Sequence, residues 1–481
     1  MLSFRTLAVL LVALLVPSSA FAQGSFNQVA ITGESAPGVT DGAEFDFFSS
    51  PSVNAPGDVA FQGFLQGEMV SFANNNIVAN FGPTSGAGSL GLIARQGESA
   101  SEVIDETTFG FIGPPAINAS GDVAFTAPLE GAVNTTALLG PTSGSSLGLI
   151  ARTDAPAPGV PGGTFSSFVS PLLNASGGVA FTGVLGGVDS NSNTAVFGRS
   201  AVDSSLGLIA REGDAAPGAA DAAAFSNFSS LSFNASGDVA FRSILRTGTG
   251  AEVTSDNNIG IFGPTSGVNS SLGLIAREGD AAPGAGGAAL FNSFGSISLN
   301  ASGDVAFNGS LRGIGVDNTN DAVLYSLFAD EFELLAREGI SVPGADDGVE
   351  LNSFFSSIAF NASGDVAFTA SLRGIGVDNT NDVALFTSVG GELEVVAREG
   401  DLFTVTLPDG SSTEDRTISF INFSSLGLSD TGTLAFGLGF TDGTEGVFTT
   451  SIVAVPEPGV GLLALAAGLP LLVRRRRFEV V

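Results

Sequence analysis

Asn54-Ala-Pro-Gly-Asp-Val-Ala-Phe61 is the first of seven copies of one pattern, Asn-x-x-Gly-x-x-Ala-Phe. It recurs intact from Asn118, Asn174, Asn234, Asn300 and Asn361, and in degraded form as Ser429-Asp-Thr-Gly-Thr-Leu-Ala-Phe436. The steps between copies are 64, 56, 60, 66, 61 and 68 residues, larger than one hairpin and smaller than a domain. A period of this size marks an array whose units bury their apolar faces on one another.

The unit around Asn361 shows the internal plan. Phe354 to Phe360 is an apolar-rich run, and Asn361-Ala-Ser-Gly364 supplies turn chemistry, since Asn bonds its own backbone and Gly accepts positive φ. From Asp365 to Leu372 the chain alternates, with Val366, Phe368, Ala370 and Leu372 on one side and Ala367, Thr369 and Ser371 on the other. A face of large residues backed by a face of small ones suits a sheet stacked between two others. A polar loop, Arg373 to Asn381, leads to a third strand over 382–389, and Gly390-Gly391 turns into a fourth over 392–398. Four antiparallel strands in each of seven units predict an all-β, seven-bladed β-propeller. The alternative, an open β-solenoid, needs capping units and shorter, flatter rungs.

The two ends of the array predict a closed ring. Gln28-Val-Ala-Ile-Thr-Gly-Glu-Ser-Ala-Pro-Gly38 matches a fourth strand and its connector with no strands before it. The last unit has a first strand near Ile418 to Leu428, a second over 433–440 and a third over 446–452, but no fourth. The N-terminal strand is therefore expected to complete the seventh blade and remove a free sheet edge. The once-per-unit Phe61, Phe125, Phe181, Phe241, Phe307, Phe368 and Phe436 are expected in the core.

Composition narrows the chemistry. The 481 residues include 66 Gly and 39 Phe but no Cys, His, Trp or Lys, so all 17 basic residues are Arg. Most nucleophiles, neutral-pH bases and transition-metal ligands are thereby missing. Carboxylates, hydroxyls, Arg and the single Tyr325 remain. Net charge is −31, and without the two ends the body holds 12 Arg against 46 acidic residues. Such a surface repels phosphate backbones, so nucleic acid is not expected as a partner.

Both ends read as addresses. Arg5, the apolar run Leu7 to Val16, Pro17 and then Ala20-Phe21-Ala22 form a secretory signal, with cleavage by signal peptidase expected after Ala22 (segment 1–22). The repeat body spans 23–454. In 455–481, Pro456-Glu457-Pro458 is followed by fifteen apolar or Gly/Pro residues, Gly459 to Val473, and then by Arg474, Arg475, Arg476 and Arg477. As a helix the apolar stretch would reach about 22 Å, short of a ~30 Å bilayer core, and the Arg cluster would hold the C-terminus in the cytoplasm. Short helices are expected in the signal and tail only.

The ordered trio of motif, short span and Arg cluster resembles the PEP-CTERM sorting signal of Gram-negative and related bacteria. The resemblance implies recognition of the Pro-Glu-Pro site by an exosortase, a membrane cysteine protease, which removes the tail after a transient membrane span. Repeat and tail together resemble exported choice-of-anchor tandem-repeat proteins with an NxxGxxAF motif. That resemblance implies a cell-surface or extracellular-matrix location in a Gram-negative-type bacterium, and attaches no activity.

Candidate sites are few. The loops between second and third strands carry Asp189-Ser-Asn-Ser-Asn193, Asp256-Asn-Asn258, Asp317-Asn-Thr-Asn-Asp321 and Asp378-Asn-Thr-Asn-Asp382. Oxygen ligands at alternate positions suit Ca²⁺, so Asp189, Asp317, Asp321, Asp378 and Asp382 are the metal candidates. Asn and Asp also populate plain turns, and no copy completes an EF-hand loop. The recurring Arg211-Glu212, Arg277-Glu278, Arg337-Glu338 and Arg398-Glu399 track the fold period, which favours structural bonds. Asn-Ala-Ser sequons at five of the motif turns are by-products of the turn, since Asn54-Ala-Pro keeps the turn without the sequon. A glycosidase would need two carboxylates ~5–9.5 Å apart in the channel, with Glu68, Glu130 and Glu252 as irregular acids to inspect. The expectation is an exported, surface- or matrix-associated, non-enzymatic structural or interaction module with no cofactor, whose partners are extracellular polysaccharide or surface proteins. The alternatives are a carbohydrate-active hydrolase using a carboxylate pair, and a Ca²⁺-dependent adhesin or glycan-binding module.

Overall fold

Alternation of large and small side chains along each second strand sets how the sheets stack. In the computed structural model, Val366, Phe368, Ala370 and Leu372 pack with Ala306, Leu324 and Ala336 of the preceding sheet. The opposite face of the same sheet, Ala359, Ala367, Leu385 and Ala397, packs on the following one. Every sheet presents an aromatic face backward and an alanine-rich face forward. The structure describes residues 25–452 except 85–88, 101–103, 133–134, 143–146, 175, 200–204, 220–222, 247–252, 266–270, 330, 346–347 and 390.

Seven antiparallel sheets result, and the chain is a seven-bladed β-propeller. The strands of each blade follow one another from the channel outward. In blade six they are Val349–Phe360, Val366–Gly374, Val383–Val389 and Glu392–Arg398. Pro51 and Pro114-Pro115 cannot donate to a ladder. The inner strands of blades one and two are split there, into Glu44–Phe48 with Ser52–Val53 and Thr108–Phe109 with Ala116–Ile117. Among the described residues the one helical turn is a 3₁₀ segment, Ser190–Ser192. No helix of these residues is long and apolar enough to cross a membrane. The expected signal (Ala20, Ala22) and sorting residues (Pro456, Glu457, Pro458, Arg474 to Arg477) lie outside the described residues, as does Glu252.

Closure follows the expectation. Asn27–Ile31 pairs antiparallel with Glu445–Ser451, Ala30 opposite Val447 and Ile31 opposite Gly446. The alanine face of this seventh blade, Ala30, Ala435 and Val447, then seats Phe45, Phe61 and Phe81 of blade one. The motif phenylalanines are core: Phe61, Phe125, Phe181, Phe241, Phe307 and Phe436 have no exposed surface, and Phe368 has 1%. Each fully buried ring contributes ~1.5–3 kcal/mol. They also pair within blades, as in Phe165 against Phe197 at 5.0 Å, edge to face, and Phe181 against Phe197 at 5.6 Å, stacked.

The inner strand of blade seven departs from the sequence reading. It runs Thr413–Asn422, and its outer half pairs with an extra strand, Leu402–Thr406. The reason is an enlarged connector. Gly400 N donates to Ile418 O and Ile418 N to Asp401 O, the pattern that Gly213, Asp214 and Phe225 make in blade four. Ile418 thus occupies the place of Phe225, and residues 402–417 replace the usual Ala-Pro-Gly connector with a hairpin. The hairpin clasps the N-terminal strand: Gln28 Nε2 donates to Thr406 O and Thr406 N to Gln28 Oε1, both at 2.9 Å. Beyond Asn422 the chain leaves the ladder, Val53 N donates to Leu426 O at 2.9 Å, and Leu426 packs onto the core of blade three.

Candidate functional site

Two belts of polar side chains and the channel between them hold the groups that could act. At one mouth lie the motif turns. In blade five Asn300 Oδ1 accepts from Ser302 N and Asp304 N, both at 2.9 Å. Its Nδ2 donates to Asp304 Oδ2 at 3.1 Å and to Asn361 O of the next blade at 3.2 Å. Gly303 and Gly364 sit at φ +89°, a conformation that L side chains rarely adopt, which fixes the Gly of the motif. The same reach across blades joins Asn54 to Asn118 O and Asn174 to Asn234 O, each at 2.9 Å. The degraded copy uses substitutes: Asp430 Oδ1 accepts from Ala362 N at 2.9 Å, and Thr431 Oγ1 donates to Ala55 O at 2.6 Å. The motif is a circumferential staple, and its buried Asn residues are structural.

The other mouth carries the Arg-Glu repeats, and they do not pair within themselves. Arg211, Arg277, Arg337 and Arg398 each donate Nε to a carbonyl of the loop between second and third strands, Ser192, Asn257, Asn320 and Asn381. Glu212, Glu278 and Glu338 accept from backbone N–H groups of the same loops. Two of these acids are then gripped by an Arg of the following blade, Glu212 by Arg246 at 3.2 Å and Glu338 by Arg373 at 2.6 Å. Glu399 has the same burial, 7% exposed, but blade seven offers Thr441 where blade six has Arg373. Burial, with the Asp382 carboxylate adding to it and the Val383 backbone opposing it, pushes Glu399 up to about 7.

The metal candidates sit in these loops. Asp317 is exposed, and hydrogen bonds from the Thr319 hydroxyl and backbone N–H hold its carboxyl below the usual carboxylate range. Asp378 is held the same way by Thr380. Asp189 O accepts from Ser192 N inside the 3₁₀ turn. Asp321 and Asp382 receive Leu311 N and Leu372 N on their backbone oxygens. The structure makes these residues loop-closing groups, and among the described residues no three His, Cys, Asp or Glu side chains gather as a metal-binding group. Of the irregular acids, Glu68 is exposed on a loop and Glu130 accepts from Asn75 Nδ2 at 2.9 Å on the outer surface. Neither lines the channel cavities. Tyr325 is fully buried in blade five, its hydroxyl donating to Pro283 O at 2.7 Å, and burial pushes its pKa to about 12.

The described residues line three cavities along the channel. One of about 140 Å³ lies at the motif-turn mouth, with Asp430 its one carboxylate. A second of about 350 Å³ lies beside Pro114, Pro115, Pro171 and Leu426. The third, of about 630 Å³, is set into the wall formed by blades four to six. It opens where the inner strands of these blades carry β-bulges, between Ser229 and Ser232, Phe294 and Ile297, and Phe354 and Ile358. Bulges bend a strand and re-aim its side chains, and they favour functional edges. Ser230 at the first bulge has φ +50°. Among the described residues the one charged side chain lining this cavity is Arg242, which the sequence reading did not single out. Aligning the repeats could have found it: the position after Ala-Phe holds Gln62, Thr126, Thr182, Arg242, Asn308, Thr369 and Gly437.

Several solved structures align with the chain at low identity. The β-propeller domain of the Trilobed protease from Pyrococcus furiosus, described as having an open velcro topology, aligns at 10% identity with a TM-score of 0.46, covering 84% of this chain and 95% of that one. The polysaccharide lyase Uly1 aligns at 10% identity and 0.41, covering 89% and 99%. Acylaminoacyl peptidase from Pyrococcus horikoshii aligns at 10% and 0.42, covering 82% of this chain and 49% of that one. No curated protein matches the sequence. A family of unknown function, DUF7453, matches residues 18–140, 134–281 and 247–462, nearly the whole propeller, and the chain belongs to that family.

Proposed function

We propose that the chain is an exported propeller, held at the surface or in the extracellular polysaccharide matrix of a Gram-negative-type bacterium, that serves as a non-enzymatic structural or interaction module. Signal peptidase would release it after Ala22, and an exosortase would act at Pro456-Glu457-Pro458. The propeller fold suits such a module, as it suits enzymes. What supports a non-catalytic reading is the engagement of the carboxylates. The acids repeated at the two mouths bond backbone N–H groups or arginines that join neighbouring blades, and Asp430, in the motif-mouth cavity, bonds Ala362 N. A carboxylate-pair hydrolase needs a second acid facing Asp430 across a substrate. The described lining of the three channel cavities supplies none.

The test is to express the full chain in an exporting host and follow it through fractionation. Retention in the surface or matrix fraction, lost when Pro456-Glu457-Pro458 is replaced by alanines, is the expected result. Release of new reducing ends from matrix polysaccharides by the purified chain would overturn the non-enzymatic reading.

A further inference from the structure

Among the described residues Arg95, Arg246, Arg312, Arg373 and Arg416 lie within ion-pair distance of a carboxylate, and Arg211, Arg277, Arg337 and Arg398 donate Nε to loop carbonyls; Arg242 does neither. Its Nη1 donates to Ser229 Oγ at 3.1 Å, and its Nε is buried without a hydrogen-bond partner. The equivalent side chains in blades one and five bond the next blade's inner strand, Gln62 Nε2 to Ile112 O at 2.6 Å and Asn308 Nδ2 to Phe355 O at 2.8 Å. In blade four that junction is bridged by Ser230 Oγ to Gly295 O at 3.0 Å. Arg242 is thereby left facing the cavity. Burial lowers its pKa, and the charge of the Glu278 carboxylate opposes that shift.

The surroundings fit an anion of a particular kind. In a chain of net charge −31, no Asp or Glu among the described residues lines this cavity. The wall is hydroxyl-rich, with Ser229 Oγ accepting from Arg242 Nη1 and Ser293 and Ser310 bonded hydroxyl to hydroxyl at 2.7 Å, and Phe354 adjoins it. A guanidinium fork matches one carboxylate bidentately, serine hydroxyls both donate and accept, and phenylalanine covers the apolar C–H face of a sugar ring. The volume of about 630 Å³ exceeds what a bare inorganic ion needs and lies within the usual range for small-molecule sites.

We propose that the cavity between blades four and six binds an acidic sugar, a hexuronate unit, with its carboxylate on Arg242 and its hydroxyls on the serines of the bulged inner strands. The proposal rests on the interaction-module reading and names its ligand class. Titration calorimetry of the purified full chain with D-glucuronate and D-galacturonate, against D-glucose and glucuronate methyl ester, decides it. At least one uronate is expected to bind, with the neutral sugar and the ester about 10- to 100-fold weaker, the effect of losing a charge-assisted bond. R242Q should show the same loss, and R242K should recover part of it because the charge returns without the fork. Binding of neither uronate, or equal binding of uronate and ester, overturns the site without recourse to any variant. R242Q that retains its melting temperature and binds as tightly as the parent overturns it too. Retention of the chain in the matrix fraction is read separately. A retained chain that binds no uronate leaves the module reading standing, and a uronate-binding chain that is never retained reverses that outcome.

Discussion

Replacing Glu399 by Gln should stabilise the protein at alkaline pH and do nothing for it in acid. The carboxyl is 7% exposed, faces Asp382, and lacks the arginine that grips Glu338 one blade earlier. Its pKa is raised from 4.5 to about 7, so between those values the native state holds a proton that the unfolded chain has released. The contribution of this group to stability is therefore fully present below about 4.5, falls as pH rises towards about 7, and is lost above it. At ~1.36 kcal/mol per pH unit the full displacement would be roughly 3 kcal/mol, and solvent at the loop edge reduces this to about 1–2 kcal/mol. For a propeller of this size that is about 1–2 °C in Tm, within reach of calorimetry. E399Q should melt higher than the parent at pH 8 and equally at pH 4.5. Thr441→Arg offers the complementary change, since Thr441 N bonds Thr417 O as Arg246 N bonds Ala224 O, which places residue 441 where blades four and six carry their arginines. It should bring the carboxyl back towards 4.5 and recover the same stability at pH 8. A parent and E399Q whose Tm difference does not change between pH 4.5 and pH 8 would refute the reasoning.

Other outcomes follow from the belts and the clasp. Asn300→Ala removes four hydrogen bonds from a buried turn and should cost about 2–4 kcal/mol, read as a lowered denaturant midpoint; a cost below about 0.5 kcal/mol would mean the staple is idle. Gln28→Ala removes both bonds to Thr406 and should cost about 1–2 kcal/mol and speed proteolysis of the N-terminal strand; an unchanged digestion rate would argue against the clasp. Because Asp317 and Asp378 already accept from Thr319 and Thr380, millimolar Ca²⁺ should leave the Tm of the purified chain unchanged, and a rise that EGTA reverses would restore the metal reading of these loops.

Much of the fold was legible because the repeat carries its own geometry. Period-two alternation placed Thr433–Phe440 and Glu392–Arg398 as the structure has them, and the unmatched strand at Val29 announced the ring closure. The blade-seven inner strand, expected near Ile418 to Leu428, was misplaced because its connector is a hairpin there, in which Leu402–Thr406 pairs with Thr413 to Thr417. The site was harder to read for a different reason. The repeated residues, Asn300 or Arg337 for instance, are held by the requirement to join blades, so periodicity marks structure. Arg242 and Glu399 matter through what surrounds them, and a cation without a carboxylate, or a carboxylate without a cation, appears only when neighbouring blades are brought together.

The charge pattern around the ring carries that thought further. Glu212 meets Arg246 and Glu338 meets Arg373, while Gln96 stands where the following blade presents Glu130 in place of an arginine. At the two ion-paired junctions the fourth strand of one blade and the second strand of the next are matched in charge. Matching of this kind fixes which blade stacks on which, since a like-charge junction would be penalised. A chain of near-identical blades needs such a device, because its aromatic and alanine faces would otherwise accept any neighbour. Glu399 faces Thr441 and lacks such a partner, and this junction adjoins the blade assembled from both ends of the chain. Register there is set instead by the hairpin Leu402–Thr417 and its bonds to Gln28.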